Sequence, residues 1–187
     1  MLDIGELKKG TKCMIDGDPY LVTDYEFAKP GKGQAIYRVR MRNLITGFSI
    51  DRSYRSGERF PEADTSSQPM EYSYHDGSTY CFVDPSTFEN YFADEKVVGD
   101  KLHYLLPNTP VDVLLFGERI IDITLPPSVV LKIVKSDPGA RGDTATNVTK
   151  GATLETGVEV QVPLFVGEGE YIRVDTRTGQ YIERVKK

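Results

Sequence analysis

Tryptophan is absent, and Cys13, Cys81, His75 and His103 are the only cysteines and histidines in the chain. Two cysteines so far apart, without C-x-x-C spacing, exclude a disulfide scaffold and a dithiol redox motif. They are expected to be reduced filler in or near a core, which suits a cytoplasmic protein. Histidines this scattered offer no zinc spacing, so no metal is expected. No apolar run approaches the about 20 residues of a membrane span. The start Met1-Leu2-Asp3-Ile4-Gly5-Glu6 has neither the basic nor the apolar region of a secretory signal. No membrane partner is therefore expected, and the sequon Asn147-Val148-Thr149 carries no meaning without secretion. Catalytic signatures are missing too: there is no G-x-x-x-x-G-K-[ST], no G-x-S-x-G and no H-E-x-x-H. Acidic pairs such as Asp94-Glu95 read as solvated faces. With no convergent titratable cluster, neither enzymatic activity nor a cofactor is expected.

What is present is the pattern of an all-β protein. Of 187 residues, 39% are hydrophobic and 27% charged, values of a soluble globular chain. Short alternating runs are separated by Asp16-Gly17-Asp18-Pro19, Thr46-Gly47, Ser56-Gly57, Asp76-Gly77, Gly117, Asp137-Pro138-Gly139, Gly167-Glu168-Gly169 and Thr178-Gly179. One helix start stands out, Asp84-Pro85-Ser86-Thr87-Phe88-Glu89, with Asp84 as N-cap and room for at most two turns before Gly99. Breaks near Pro61–Ser67 and at Leu125-Pro126-Pro127-Ser128 divide the chain into 1–64, 65–127 and 128–187. Each part has roughly sixty residues, a size at which a small closed or nearly closed barrel is the economical fold.

Charge is unevenly spread over these parts: they carry +1, −7 and +1, which make up the net −5. In the first part no Asp or Glu occurs between Glu26 and Asp51, whereas Lys29, Lys32, Arg38, Arg40 and Arg42 all fall there. Alternation puts Arg38, Arg40 and Arg42 on one strand face and Tyr37, Val39 and Met41 on the other. Such a ladder suits phosphate contact, and a plain solvated face explains it equally well. Just upstream, Lys29-Pro30-Gly31-Lys32-Gly33-Gln34-Ala35 separates two alternating runs, Tyr20–Phe27 and Ile36–Arg42. Lys32 thus sits at a hairpin tip, either an ordinary solvated turn or an arm that carries one amine into another molecule. The eleven tyrosines could stack on bases, though strand burial accounts for most of them.

Longer matches decide between these readings. Lys8-Lys9-Gly10, the tip loop, Arg42-Asn43-Leu44-Ile45-Thr46-Gly47, Asp137–Ala145, Ala152–Gly157 with Val160–Val166, and Val174–Val185 occur in that order. Together they resemble the bacterial elongation factor P family along the whole chain. Two departures occur: Lys150-Gly151-Ala152 stands where the family usually has Lys-Pro-Ala, and Asn147-Val148-Thr149 replaces a commonly glycine-rich stretch. Both fall in a loop similar to the one that meets messenger RNA. A generic RNA-binding barrel protein is the chief rival, but it has no use for a Pro-Gly-Lys-Gly tip. A sister factor of the same shape usually carries another residue at the tip.

The resemblance implies an SH3-like domain followed by two OB-fold domains, arranged in an L. It implies a monomer that binds both ribosomal subunits between the peptidyl and exit sites. Peptidyl-tRNA and exit-site messenger RNA would be the other partners, together with an enzyme that extends Lys32 by β-lysine or an aminoalcohol. The site would be Lys32, with Lys29, Pro30, Gly31 and Gly33 shaping the tip. RNA contacts would fall to Arg38, Arg40, Arg42, Gly142, Asp143, Thr144, Tyr181 and Arg184. The acidic middle part would face basic protein or limit nonspecific RNA binding.

Overall fold

The computed structural model describes residues 1–139 and 148–187, and among them sixteen strands dominate. The first sixty residues hold β1 (Leu2–Asp3), β2 (Lys12–Ile15), β3 (Asp18–Ala28), β4 (Ile36–Asn43), β5 (Ser49–Arg55) and β6 (Arg59–Phe60). Strands β2 to β5 form an antiparallel meander, and β1 pairs with β6. The β2–β3 connection is a two-residue turn in which Asp16 and Gly17 both have positive φ, 53° and 89°. That conformation matches the twist of a tight hairpin, and aspartate and glycine are the residues that tolerate it. Ile4, Leu7, Cys13, Val22, Val39 and Met41 form the fully buried heart of this sheet. Burial raises the Cys13 thiol to about 11, so the thiol is inert filler as its spacing suggested.

The next stretch contains β7 (Thr65–His75), β8 (Thr79–Val83), β9 (Asn90–Asp94), α1 (Glu95–Val98), β10 (Pro110–Phe116) and β11 (Arg119–Thr124), with sheet order β11-β10-β7-β8-β9. Here one expectation is corrected. Asp84–Glu89 is not a helix but the loop joining β8 to β9. Asp84 Oδ1 accepts from the backbone of Ser86 at 2.7 Å, and Asp84 N bonds to the Glu89 carbonyl at 3.0 Å, closing a hairpin. Asp84 accepts from the two following backbone donors as a cap would, but with no apolar face to bury, the turn does not propagate into a helix. The short helix forms instead at Glu95–Val98, where Val98 is buried. At the β7–β8 turn, four donors from Ser78 and Thr79 converge on Asp76 and lower its carboxyl pKa to about 2.

The last stretch contains β12 (Ser128–Ser136), β13 (Thr149–Leu154), β14 (Glu159–Pro163), β15 (Tyr171–Asp175) and β16 (Tyr181–Val185), ordered β14-β13-β12-β15-β16. A bulge between Ile133 and Lys135 bends β12, so one strand serves two directions of pairing. The sheet curls until its edges β14 and β16 approach each other. Leu131, Ile133, Leu154, Val162, Ile172 and Val174 are fully buried inside it, with Tyr104 and Leu106 packed against them. Gly151 lies in β13 opposite Gln161, and a Cβ there would stand 2.5 Å from Asp137 Oδ2. The glycine therefore makes room for a carboxylate and is held in a strand.

By backbone packing the chain divides into two units. One comprises Met1–Gln68 and Leu114–Asp122, the other Pro69–Val113 and Ile123–Lys187. Among the described residues no helix is long and apolar enough to cross a membrane.

Candidate functional site

The hairpin β3–β4 is the longest pairing in the first unit, running from Tyr20↔Asn43 to Ala28↔Ile36. Its outer end carries Lys29, Pro30, Gly31, Lys32 and Gly33, all exposed. The tip is closed by a turn in which Gly33 N donates to the Pro30 carbonyl at 3.0 Å. The two tip glycines differ in what they do. Nothing lies within 4 Å of a Cβ built on Gly31, whereas one on Gly33 would meet Pro30 Cγ at 2.9 Å. Neither glycine has a positive φ. Close approach of the proline ring, and not left-handed backbone, is what requires a glycine here, and only at Gly33.

Behind the tip the two faces of the arm differ. On the face continuous with the core, Phe27, Tyr37 and Tyr25 form a tilted aromatic row, with ring centroids 5.0 Å apart for Phe27–Tyr37 and 6.0 Å for Tyr25–Tyr37. Rigid rings in a row stiffen a two-stranded ribbon that would otherwise be marginal. On the opposite face Arg38, Arg40 and Arg42 are exposed while Val39 and Met41 are buried, as alternation requires.

The guanidinium ladder is not bare, however. Register places Glu26 and Ser53 beside Arg38, and Asp24 and Asp51 beside Arg40. Arg40 Nε donates to Asp51 Oδ1 at 2.8 Å, and its second nitrogen to Oδ2 at 3.3 Å. That hydrogen bonding holds the Asp51 carboxyl below the usual carboxylate range and raises Arg40. Only Arg42, between Leu21 and Ser49, has uncharged neighbours on both strands. A cleft of about 300 Å³ on this face is lined by Asp24, Glu26 and Asp51 together with Arg38, Arg40 and Arg52, so it is zwitterionic and not basic.

Other expected contacts are distributed as follows. Arg184 in β16 donates to Glu170 at 3.2 Å and lies 5.3 Å over the ring of Phe165, itself 66% exposed. Tyr181 is half-buried and packs against the core of the last sheet. Gly142, Asp143 and Thr144 lie outside the described residues, as does Asn147. The carboxylate partners of the ladder do not show along the chain, where no acid falls between Glu26 and Asp51, and come beside the arginines only across the strands. Folding the sequence back about Ile45-Thr46 places Asp51 opposite Arg40, so the signal was there.

Comparisons with known proteins agree with one another. Residues 3–60 match the family description "Elongation factor P (EF-P) KOW-like domain", 65–123 match "Elongation factor P (EF-P) OB domain", and 129–184 match "Elongation factor P, C-terminal". An elongation factor P of Desulforapulum autotrophicum is 49% identical over 187 residues, covering all of both chains. An "Elongation factor P 2" of Geobacter sulfurreducens is 50% identical over 186 residues, again at full coverage of both. Among solved structures, a translation initiation factor 5A from Methanococcus jannaschii superposes with a TM-score of 0.55 at 22% identity. It covers 66% of this chain and 93% of its own, a likeness of fold.

Proposed function

The chain belongs to the elongation factor P family and is a translation elongation factor, and from that premise we propose that it relieves ribosomes stalled on consecutive prolines. It would act between the peptidyl and exit sites by bringing Lys32 to the end of peptidyl-tRNA. The observation that carries this reading is the exposed Lys32 inside the closed Pro30–Gly33 turn at the far end of an aromatic-stiffened β arm. Proline is a poor acceptor because its nitrogen is secondary and its ring fixes the geometry of attack. A peptidyl end that wanders then forfeits the large effective molarity that orientation supplies. A cation held against the RNA backbone restores the pose, while the chemistry stays with the ribosome.

Lys32 is the position at which a modifying enzyme would lengthen the side chain, extending the reach of the charge. Lys29, Arg38 and Arg42 are the remaining cations of the arm suited to RNA phosphates, and Arg184 is offered by the last sheet on its phenylalanine platform. The protein would work as a cytoplasmic monomer of three functional parts, 1–64, 65–127 and 128–187. The middle part, with its −7 charge, would be kept off RNA.

A reconstituted translation system reading a template with three consecutive prolines tests this directly. Added protein is expected to raise the rate of the second Pro–Pro bond at least tenfold and to leave proline-free templates unchanged; equal rates with and without it would refute the reading. The tip geometry makes a second prediction. Gly33→Val collides with Pro30 and should lower the stimulated rate on the order of tenfold with Lys32 intact, since displacement of a positioning group by about 1 Å is costly. Gly31→Ala meets open space and should stay within about twofold of the unmodified chain. If both variants behaved alike, the Pro30–Gly33 turn would have no part in presenting the lysine.

A further inference from the structure

Where the arm leaves the first sheet, three features meet on one residue of β4. The register of β3 slips between Val22 and Asp24, so Thr23 is an extra residue in the strand and the ribbon bends there. Thr23 Oγ1 donates to the Arg40 carbonyl at 3.1 Å. The Arg40 side chain reaches the other way, to Asp51 on β5 at 2.8 Å and 3.3 Å, with Asp24 of β3 beside it. One residue of the central strand thus ties both neighbours together at the bend. Four residue pairs lie between this point and the end of the pairing, a lever of about 13 Å before the tip begins. A rotation of about 5° at the root would carry Lys32 sideways by about 1–2 Å over that length.

We propose that Arg40 is a positioning residue: with Asp51 and the Thr23 bulge it sets the direction of the arm, and it is not a phosphate contact. The inference rests on the reading that the arm delivers Lys32. A phosphate-binding arginine should offer its guanidinium edge to solvent; here the Nε edge is taken by a carboxylate, and the adjacent cleft carries as many acids as arginines. Exposed pairs contribute little to stability, so the role of this one is geometric and its loss should be read in rate rather than in unfolding.

The test compares Arg40→Met, Asp51→Ala and the double variant on the three-proline template, each at a series of protein concentrations. Both single variants are expected to lower the maximal stimulated rate about three- to tenfold, with the half-saturating concentration within about twofold of the parent. The double variant should be no worse than the poorer single one, because both remove the same tie. Asp51→Asn, which keeps an oxygen for the guanidinium, should recover most of the rate. A phosphate contact predicts the opposite pattern. Arg40→Met would then raise the half-saturating concentration in a salt-dependent way, and Asp51→Ala would bind as well as the parent or better. That pattern, or a parental rate for Asp51→Ala, overturns the proposal. Lys32→Ala run alongside separates the two levels. If it is inactive while the Arg40 and Asp51 variants are normal, only the positioning role fails; if it is fully active, delivery by the arm fails and takes this role with it.

Discussion

Lys32→Ala is expected to reduce the stimulated rate on consecutive prolines to the level seen without the factor, while leaving the thermal midpoint within about 2 °C of the parent. The second half of that expectation follows from exposure. Lys32 lies beyond the last strand pair, and the turn that holds it is closed by the backbone of Pro30 and Gly33. Removing the side chain takes no contact from the core. The first half follows from its placement. Lys29 is the other cation of the loop, but it stands next to Ala28 at the base of the turn and cannot substitute at its apex. The measurement is the rate of Pro–Pro bond formation beside a melting curve on the same sample. A fully active variant would show that the arm does not act by delivering this amine.

Phe82→Ala should act by the converse route. Phe82 is fully buried in β8, with its ring 5.6 Å from Tyr72. Truncating such a ring costs about 3–5 kcal/mol, from lost transfer energy and the cavity left behind. Natural domains have only about 5–15 kcal/mol to lose. Denaturant unfolding should therefore show a sharp loss for the second unit, and any defect in translation should recover as temperature is lowered. The Lys32→Ala defect should not recover. A loss under about 1 kcal/mol would mean that neighbouring side chains close over the vacated space.

Much of this architecture was legible in the sequence, for a simple reason. Period-two alternation in Ile36–Arg42 is a direct image of a strand with one wet and one dry face, and the structure buries Val39 and Met41 accordingly. Turn chemistry at Asp16-Gly17 and Thr46-Gly47 was equally plain, because few residues tolerate positive φ. What was not legible depended on pairing. The Arg40–Asp51 tie joins residues eleven apart that become neighbours only once the register is set. Asp84 shows the local limit. Its capping chemistry is genuine, yet whether a capped turn grows into a helix or closes a hairpin depends on the apolar surface waiting for it. The Pro30–Gly33 contact was hidden for a third reason, since two glycines flanking a lysine look equivalent until a ring is found resting on one of them.

Tyr104 and Leu106, which precede β10, rest on the apolar interior of the last sheet, and Tyr104 Oη would stand 3.0 Å from a Cβ on Gly179. Thr176 adds a hydroxyl bond to the Pro126 carbonyl at 2.5 Å and a backbone bond to Pro127 at 3.0 Å. Anyone wishing to excise the C-terminal sheet for separate study should therefore expect a sticky fragment if the cut is made at Ser128. Such a piece would display the greasy seat that those two side chains normally occupy, and its aggregation would report the position of the scissors rather than a property of the parent.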